Sequence, residues 1–224
     1  ARKDRSPLHK AMRADRIVRE LGRAYFKGDG IATDLPSGGL AHIKSSPDQE
    51  LPDIELLTAA APSSAHPYFW PFVPSYSDGF MVRAAVLRPE SRGYVRLTSK
   101  DPNAAPTIAQ NFLANYSDRE ALRKGVRIVR DVGRQKSLAS IVDRELTPMG
   151  FSDAEIDAHI GAAAISVHHP VGTCKMGNSD DASAVVDPEL RVFGTRNLRV
   201  VDASIMPLIV GGGTNAPTIM IAEK

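Results

Sequence analysis

Between Leu8 and Phe26, apolar side chains recur at Leu8, Met12, Ile17, Val18, Leu21 and Tyr25, and Gly28 and Gly30 follow. That is roughly the spacing of one helical face, so the pattern predicts a helix over this stretch that stops at the glycines. From Ile31 to Pro74 the periodicity gives way to Pro, Ser and Gly, which read as long loops of the kind that often line enzyme sites. Within them, Ile54, Leu56 and Leu57 form an apolar island that reads as a strand after Pro52-Asp53. Phe80–Leu87 and Tyr94–Leu97 are β-prone runs on either side of Arg88-Pro89-Glu90-Ser91-Arg92-Gly93, which predicts an antiparallel hairpin whose turn is closed by Gly93. Two helices follow with capping-box starts: Ser117 with Glu120, ahead of Leu122, Val126 and Val129; and Ser152 with Glu155, ahead of Ile156 and Ile160. Past residue 184, Ala184–Asp187 and Leu198–Asp202 are short β-branched runs that each end in an aspartate. The run Gly211-Gly212-Gly213 then leads into a helix over Thr214–Lys224.

Composition narrows the classes. With 42% hydrophobic residues, the 224-residue chain can bury a core as one large domain or two small ones. Lys and Arg number 28 against 26 acidic residues, and a net charge of +2 gives no field that would draw nucleic acid. Cys174 is the single cysteine, so an internal disulfide and a cysteine-based metal site are both excluded. There is no apolar run of about 18 residues and no charged-then-apolar leader. The compartment is left open, with the cytoplasm slightly favoured. The last ten residues start like a helix and stop after about two turns, so the chain is expected to be cut within an element.

Two stretches could carry chemistry. In Val167-His168-His169-Pro170-Val171-Gly172-Thr173-Cys174-Lys175-Met176-Gly177, a histidine offers an ordinary pKa of about 6.5, close to working pH, and the adjacent proline restrains its backbone. A surface or packed pair of histidines is the competing reading. Zinc is disfavoured, since neighbouring residues of an extended chain point to opposite faces. The second stretch, Leu198–Pro207 followed by Gly211–Thr218, reads either as a buried strand with a flexible connection or as a ligand site. In the latter case glycines allow close approach, and the helix start at Asn215 and Pro217 offers free N–H groups and partial positive charge.

Taken together and in order, the blocks His169–Gly177, Val185–Asp187, Leu198–Ser204 and Asn215–Thr218 resemble the C-terminal signature of the glucose-methanol-choline oxidoreductases. Upstream, Leu51–Ile54 and Arg88–Leu97 also match recurrent stretches of that family, so the resemblance covers nearly the whole chain. It implies a mixed fold (α+β and α/β). Residues 1–165 would be mainly a substrate-binding domain, an antiparallel sheet flanked by helices. Residues 166–224 would hold the catalytic histidine segment and the C-terminal part of a Rossmann-like FAD-binding domain.

By the same resemblance, His169 falls on the proton acceptor and Asn215 on its partner position, where asparagine suits the choline-type branch. Asp202 and Ala203 would lie along the ribityl and diphosphate part of FAD, and Asn215, Pro217 and Thr218 at the flavin pyrimidine edge. His168 receives no catalytic role, and Cys174 is a small buried residue. The implied reaction is oxidation of an alcohol to an aldehyde or ketone by hydride transfer to flavin N5. A flavin-containing hydroxynitrile lyase and an inactive remnant are the alternatives. The family's Gly-x-Gly-x-x-Gly fingerprint is missing from this sequence, so an N-terminal FAD-binding portion is expected as its partner. Tyr68-Phe69-Trp70-Pro71-Phe72 could wall a pocket for an apolar or cationic substrate, or pack in a core.

Overall fold

The computed structural model describes residues 1–33 and 37–224; residues 34–36, part of the stretch read as loop, lie outside the described residues. The predicted first helix is two helices, α1 (Pro7–Ala11) and α2 (Ala14–Lys27). Ser6 caps α1, its hydroxyl accepting the His9 N–H at 3.0 Å. The break follows from pairing with a distant segment. The Ala14 N–H donates to the Tyr68 carbonyl (2.9 Å) and the Tyr68 N–H to the Met12 carbonyl (3.1 Å), which pulls Arg13 into an extended conformation. Periodicity cannot register such a long-range contact.

Strands β1 (Ser37–Ile43), β2 (Ile54–Ala59) and β3 (Met81–Val86) form an antiparallel sheet with β2 in the centre. Glu55 lies between His42 on one side and Ala85 on the other, and Ile54 between Ile43 and Val86. The short strands β4 (Tyr94–Arg96) and β5 (Thr107–Ala109) pair with each other. The predicted hairpin between Phe80–Leu87 and Tyr94–Leu97 is therefore absent: both runs are extended, but each has another partner. The six residues between them are drawn away by Asp118, whose two carboxylate oxygens accept the Glu90 and Ser91 N–H groups, each at 2.8 Å. Gly93 does not close a turn; it passes so close to β5 that a side chain there would collide with the Ala109 carbonyl.

Helix α3 (Tyr116–Gly133) lies against one face of the three-stranded sheet, and Gly125 makes this close approach possible. An added Cβ at Gly125 would stand 3.0 Å from Ala84 Cβ and 3.4 Å from Ile54. The cap of α3 is Asn115, which accepts the Ser117 N–H at 3.0 Å, so the predicted Ser117–Glu120 box is not formed. The box at α4 (Asp153–Ala163) is formed by Ser152 and Glu155 as predicted. Arg123–Asp157 and Arg127–Asp153 ion pairs tie α4 to α3.

Beyond α4 the chain is mostly irregular until α5 (Asn215–Glu223). The runs Ala184–Asp187 and Leu198–Asp202 make isolated bridges rather than strands, Val186 facing both Met176 and Val192 from a fully buried position. The molecule exposes 15017 Å², whereas a compact chain of this mass exposes about 10,000 Å². Large apolar residues account for part of the excess, among them Tyr25 (84%) and Trp70 (77%). Within the aromatic cluster Tyr68 is buried, while Phe69, Trp70 and Phe72 face outward.

Candidate active site

After α4 the chain extends from Ala164 and then turns sharply at His168, whose φ of 62° lies in the left-handed region that side chains generally avoid. The Ser166 hydroxyl accepts the His168 N–H at 2.9 Å and supports the turn. Two adjacent histidines thereby acquire different surroundings: His168 is exposed and His169 half-buried.

The next residues bind this segment to the second stretch. Gly172 turns again, with φ of 88°. The Cys174 N–H then donates to the Ser204 carbonyl (3.0 Å) and the Met176 N–H to the Ile205 carbonyl (2.8 Å). Lys175 donates to Asp181 (2.6 Å) and Ser183 (2.9 Å), fixing the excursion that follows. Asp202 caps a single turn over Ala203–Ile205 by accepting the Ser204 N–H at 2.8 Å, and that hydrogen bonding holds its carboxyl below the usual carboxylate range. The structure thus brings the His169 segment and the Asp202–Ala203 segment side by side.

Asn215 is the first residue of α5 and Thr214 its cap position, so the helix begins one residue later than the expected Thr214. The buried Thr214 carbonyl accepts both the N–H (3.1 Å) and the hydroxyl (2.7 Å) of Thr218. Pro217 brings no N–H to the third helical position. Among the described residues, nothing accepts the Asn215 or Ala216 N–H, and the Asn215 side chain is exposed. Two orphan donors at a helix start, next to the open backbone of Gly213, suit the electron-rich edge of a planar ring such as a flavin pyrimidine. No hydrogen bond joins His169 to Asn215 among the described residues. Cavities of about 330 and 320 Å³ are lined elsewhere, the first by residues such as Phe112, Arg119 and Ile160, the second by Asp53, Arg88 and Asp118. No cluster of three or more His, Cys, Asp or Glu able to hold a metal ion occurs among the described residues.

Near the glycine run lie Arg88, which sequence reasoning noted only as part of a matching stretch, and His42, backed by Glu55, which it gave no role. Arg88 lies so close to Gly211 that a side chain there would collide with its guanidinium, and His42 Cε1 is 3.8 Å from a Cβ built on Gly212. His42 Nε2 in turn meets the buried Glu55 carboxylate at 3.3 Å. The one available sequence signal was Glu55 itself, an acid inside the apolar run Ile54-Glu55-Leu56-Leu57.

The family model described as GMC oxidoreductase, in its C-terminal form, matches residues 89–222. Mitochondrial choline dehydrogenase from Homo sapiens is 42% identical over 201 residues, covering 89% of this chain and 33% of that protein. The chain spans about a third of the length of the relatives it matches. A solved structure of pyridoxine 4-oxidase from Mesorbium loti superposes with a TM-score of 0.72 at 33% identity, over 84% of this chain and 36% of that one. Formate oxidase from Aspergillus oryzae, in a structure concerned with its FAD modification, superposes at 0.79 with 23% identity, over 93% of this chain and 40% of that one, a likeness of fold alone.

Proposed function

Because this chain belongs to the GMC oxidoreductase family, whose cofactor is FAD, we propose that it is the substrate-facing and flavin-facing part of an enzyme that oxidises an alcohol to an aldehyde or ketone. Bound FAD supplies the two-electron acceptor. The relatives act on the same kind of group: choline and pyridoxine, named in those matched, are both alcohols.

In this reading His169 takes the hydroxyl proton of the substrate and Asn215 donates a hydrogen bond to the oxygen as negative charge grows there. Asp202 and Ala203 run along the ribityl and diphosphate portion, and Asn215, Pro217 and Thr218 adjoin the pyrimidine edge. The observation that carries the proposal is the pair of hydrogen bonds, Cys174 to Ser204 and Met176 to Ile205, that fastens the histidine segment to the Asp202 turn. A general base of this kind supplies about 10²- to 10⁴-fold in rate, and a placed oxyanion donor about 10²-fold or more.

Residues 1–165 would be mainly the substrate domain, and an N-terminal FAD-binding portion of the protein would complete the site. The excess exposed area and the one-third coverage of the relatives support that partner. The test is an anaerobic absorption spectrum of the flavin-containing enzyme before and after addition of alcohols such as choline and benzyl alcohol. Bleaching is the expected result. An unbleached flavin together with cyanide release from a cyanohydrin would overturn the redox reading in favour of a lyase.

A further inference from the structure

Residues of β2 alternate between two faces of the three-stranded sheet. Ile54, with Ala84 of β3 beside it, faces Gly125 and α3. Glu55 therefore points to the opposite face, together with its cross-strand neighbours His42 and Ala85. That second face has no helix against it among the named elements that contact the sheet, yet Glu55 is only 7% exposed. A carboxylate so buried needs a polar partner to offset its lost hydration. Among the described residues its hydrogen-bonding partner is His42 Nε2, and the adjacent ring carbon Cε1 stands 3.8 Å from where a Cβ on Gly212 would lie.

Arg88, just past the end of β3, completes the support. It donates to the Pro52 carbonyl and packs against Gly211. Gly211 and Gly212 thus lie beside two polar side chains, His42 from β1 and Arg88 from just past β3. A side chain at Gly211 would have to push the Arg88 guanidinium aside. Asn215 follows three residues after Gly212.

We propose that Glu55 and His42 are positioning residues for the reaction: the buried carboxylate fixes the imidazole, and the imidazole sets the height of the Gly211–Gly213 loop that delivers Asn215. This deepens the functional reading above and rests on it for the role of Asn215, whereas the support of the loop can be measured independently of catalysis.

The experiment compares H42A, E55A and E55Q with the unsubstituted flavin-loaded enzyme. One readout is hydrogen exchange, by mass spectrometry, of the peptide covering Val210–Ala216; the other is the limiting rate of flavin reduction by alcohol alongside KM. Exchange in that peptide should rise on the order of tenfold in H42A and E55A, and the limiting reduction rate should fall with KM little changed. E55Q should restore both, since a Gln amide can donate to or accept from either histidine tautomer. Unchanged exchange at Val210–Ala216 in both alanine variants would overturn the inference, as would an E55Q variant as impaired as E55A. If E55A does not fold, H42A compared with H42Q carries the same test. N215A is measured in parallel: normal reduction in N215A with loosened exchange in H42A would sink the role given to Asn215 while supporting the platform.

Discussion

The Cys174 N–H donates to the Ser204 carbonyl at 3.0 Å, joining two segments that lie thirty residues apart in the chain. This bond uses the backbone of Cys174 and leaves its thiol out of the chemistry. Cys174→Ser is accordingly expected to reduce flavin at close to the normal rate, whereas Cys174→Pro, which deletes the donor, should lower it. Stopped-flow reduction of the two variants measures both, and a large loss in the serine variant would contradict a backbone-only role.

His169→Ala should slow flavin reduction by about 10²- to 10⁴-fold with a much smaller effect on substrate binding. Asn215→Ala should cost less, about 10²-fold. Single-turnover kinetics under anaerobic conditions separate the reduction rate from the apparent dissociation constant. Near-normal reduction in His169→Ala would remove this residue from the mechanism.

Asp118 holds two backbone N–H groups of the connector between β3 and β4 from a buried position. Asp118→Ala leaves both donors unpaired and should destabilise the protein by about 1–3 kcal/mol. Urea denaturation, with the slope compared as well as the midpoint, is the appropriate measurement.

At the start of α4, hydrogen bonds from the Ser152 hydroxyl and N–H hold the Glu155 carboxyl below the usual carboxylate range. A lowered folded-state pKa means the contribution is complete above the ordinary glutamate value and is lost as pH falls through the lowered one. Ser152→Ala should raise the Glu155 pKa towards normal and weaken the cap by about 1 kcal/mol. NMR titration of the Glu155 carboxyl carbon reads the first effect directly. Because the pair is exposed, added salt should diminish its charge-dependent part.

The outward apolar residues predict a contrast in dye binding. The 224-residue chain purified alone should enhance the fluorescence of an apolar dye through surfaces such as Tyr25, Phe26, Trp70 and Phe72. The complete flavoenzyme should do so much less; equal enhancement would argue that these residues stay exposed in the whole protein.

Features encoded within a few residues were legible in the sequence. The Ser152–Glu155 box, the strand at Ile54 and the helix at Asn215 each depend on neighbours close along the chain, and each is present. Features decided by distant partners were not. Tyr68 splits the first helix and Asp118 diverts the expected hairpin; the shift of the α3 cap from Ser117 to Asn115 is a local competition between two neighbouring capping side chains. At the candidate site the order of motifs identified the His169 and Asn215 segments. His42 carried no local mark, since what singles it out is its proximity to a glycine more than a hundred residues later.

The close seating of α3 on the sheet at Gly125 has an evolutionary corollary. On the face it covers, Ile54 and Ala84 are held to near-fixed volumes, so drift there is penalised through folding. Leu40, Leu57 and Arg83 lie on the other face in matched register and are wholly or partly exposed. Substitutions can accumulate among those three with little loss of foldability, whereas Glu55 and Ala85, buried on the same face, are held as closely as the residues under α3. Divergence between paralogues should therefore concentrate at the open end of that face and spare the end that holds Glu55.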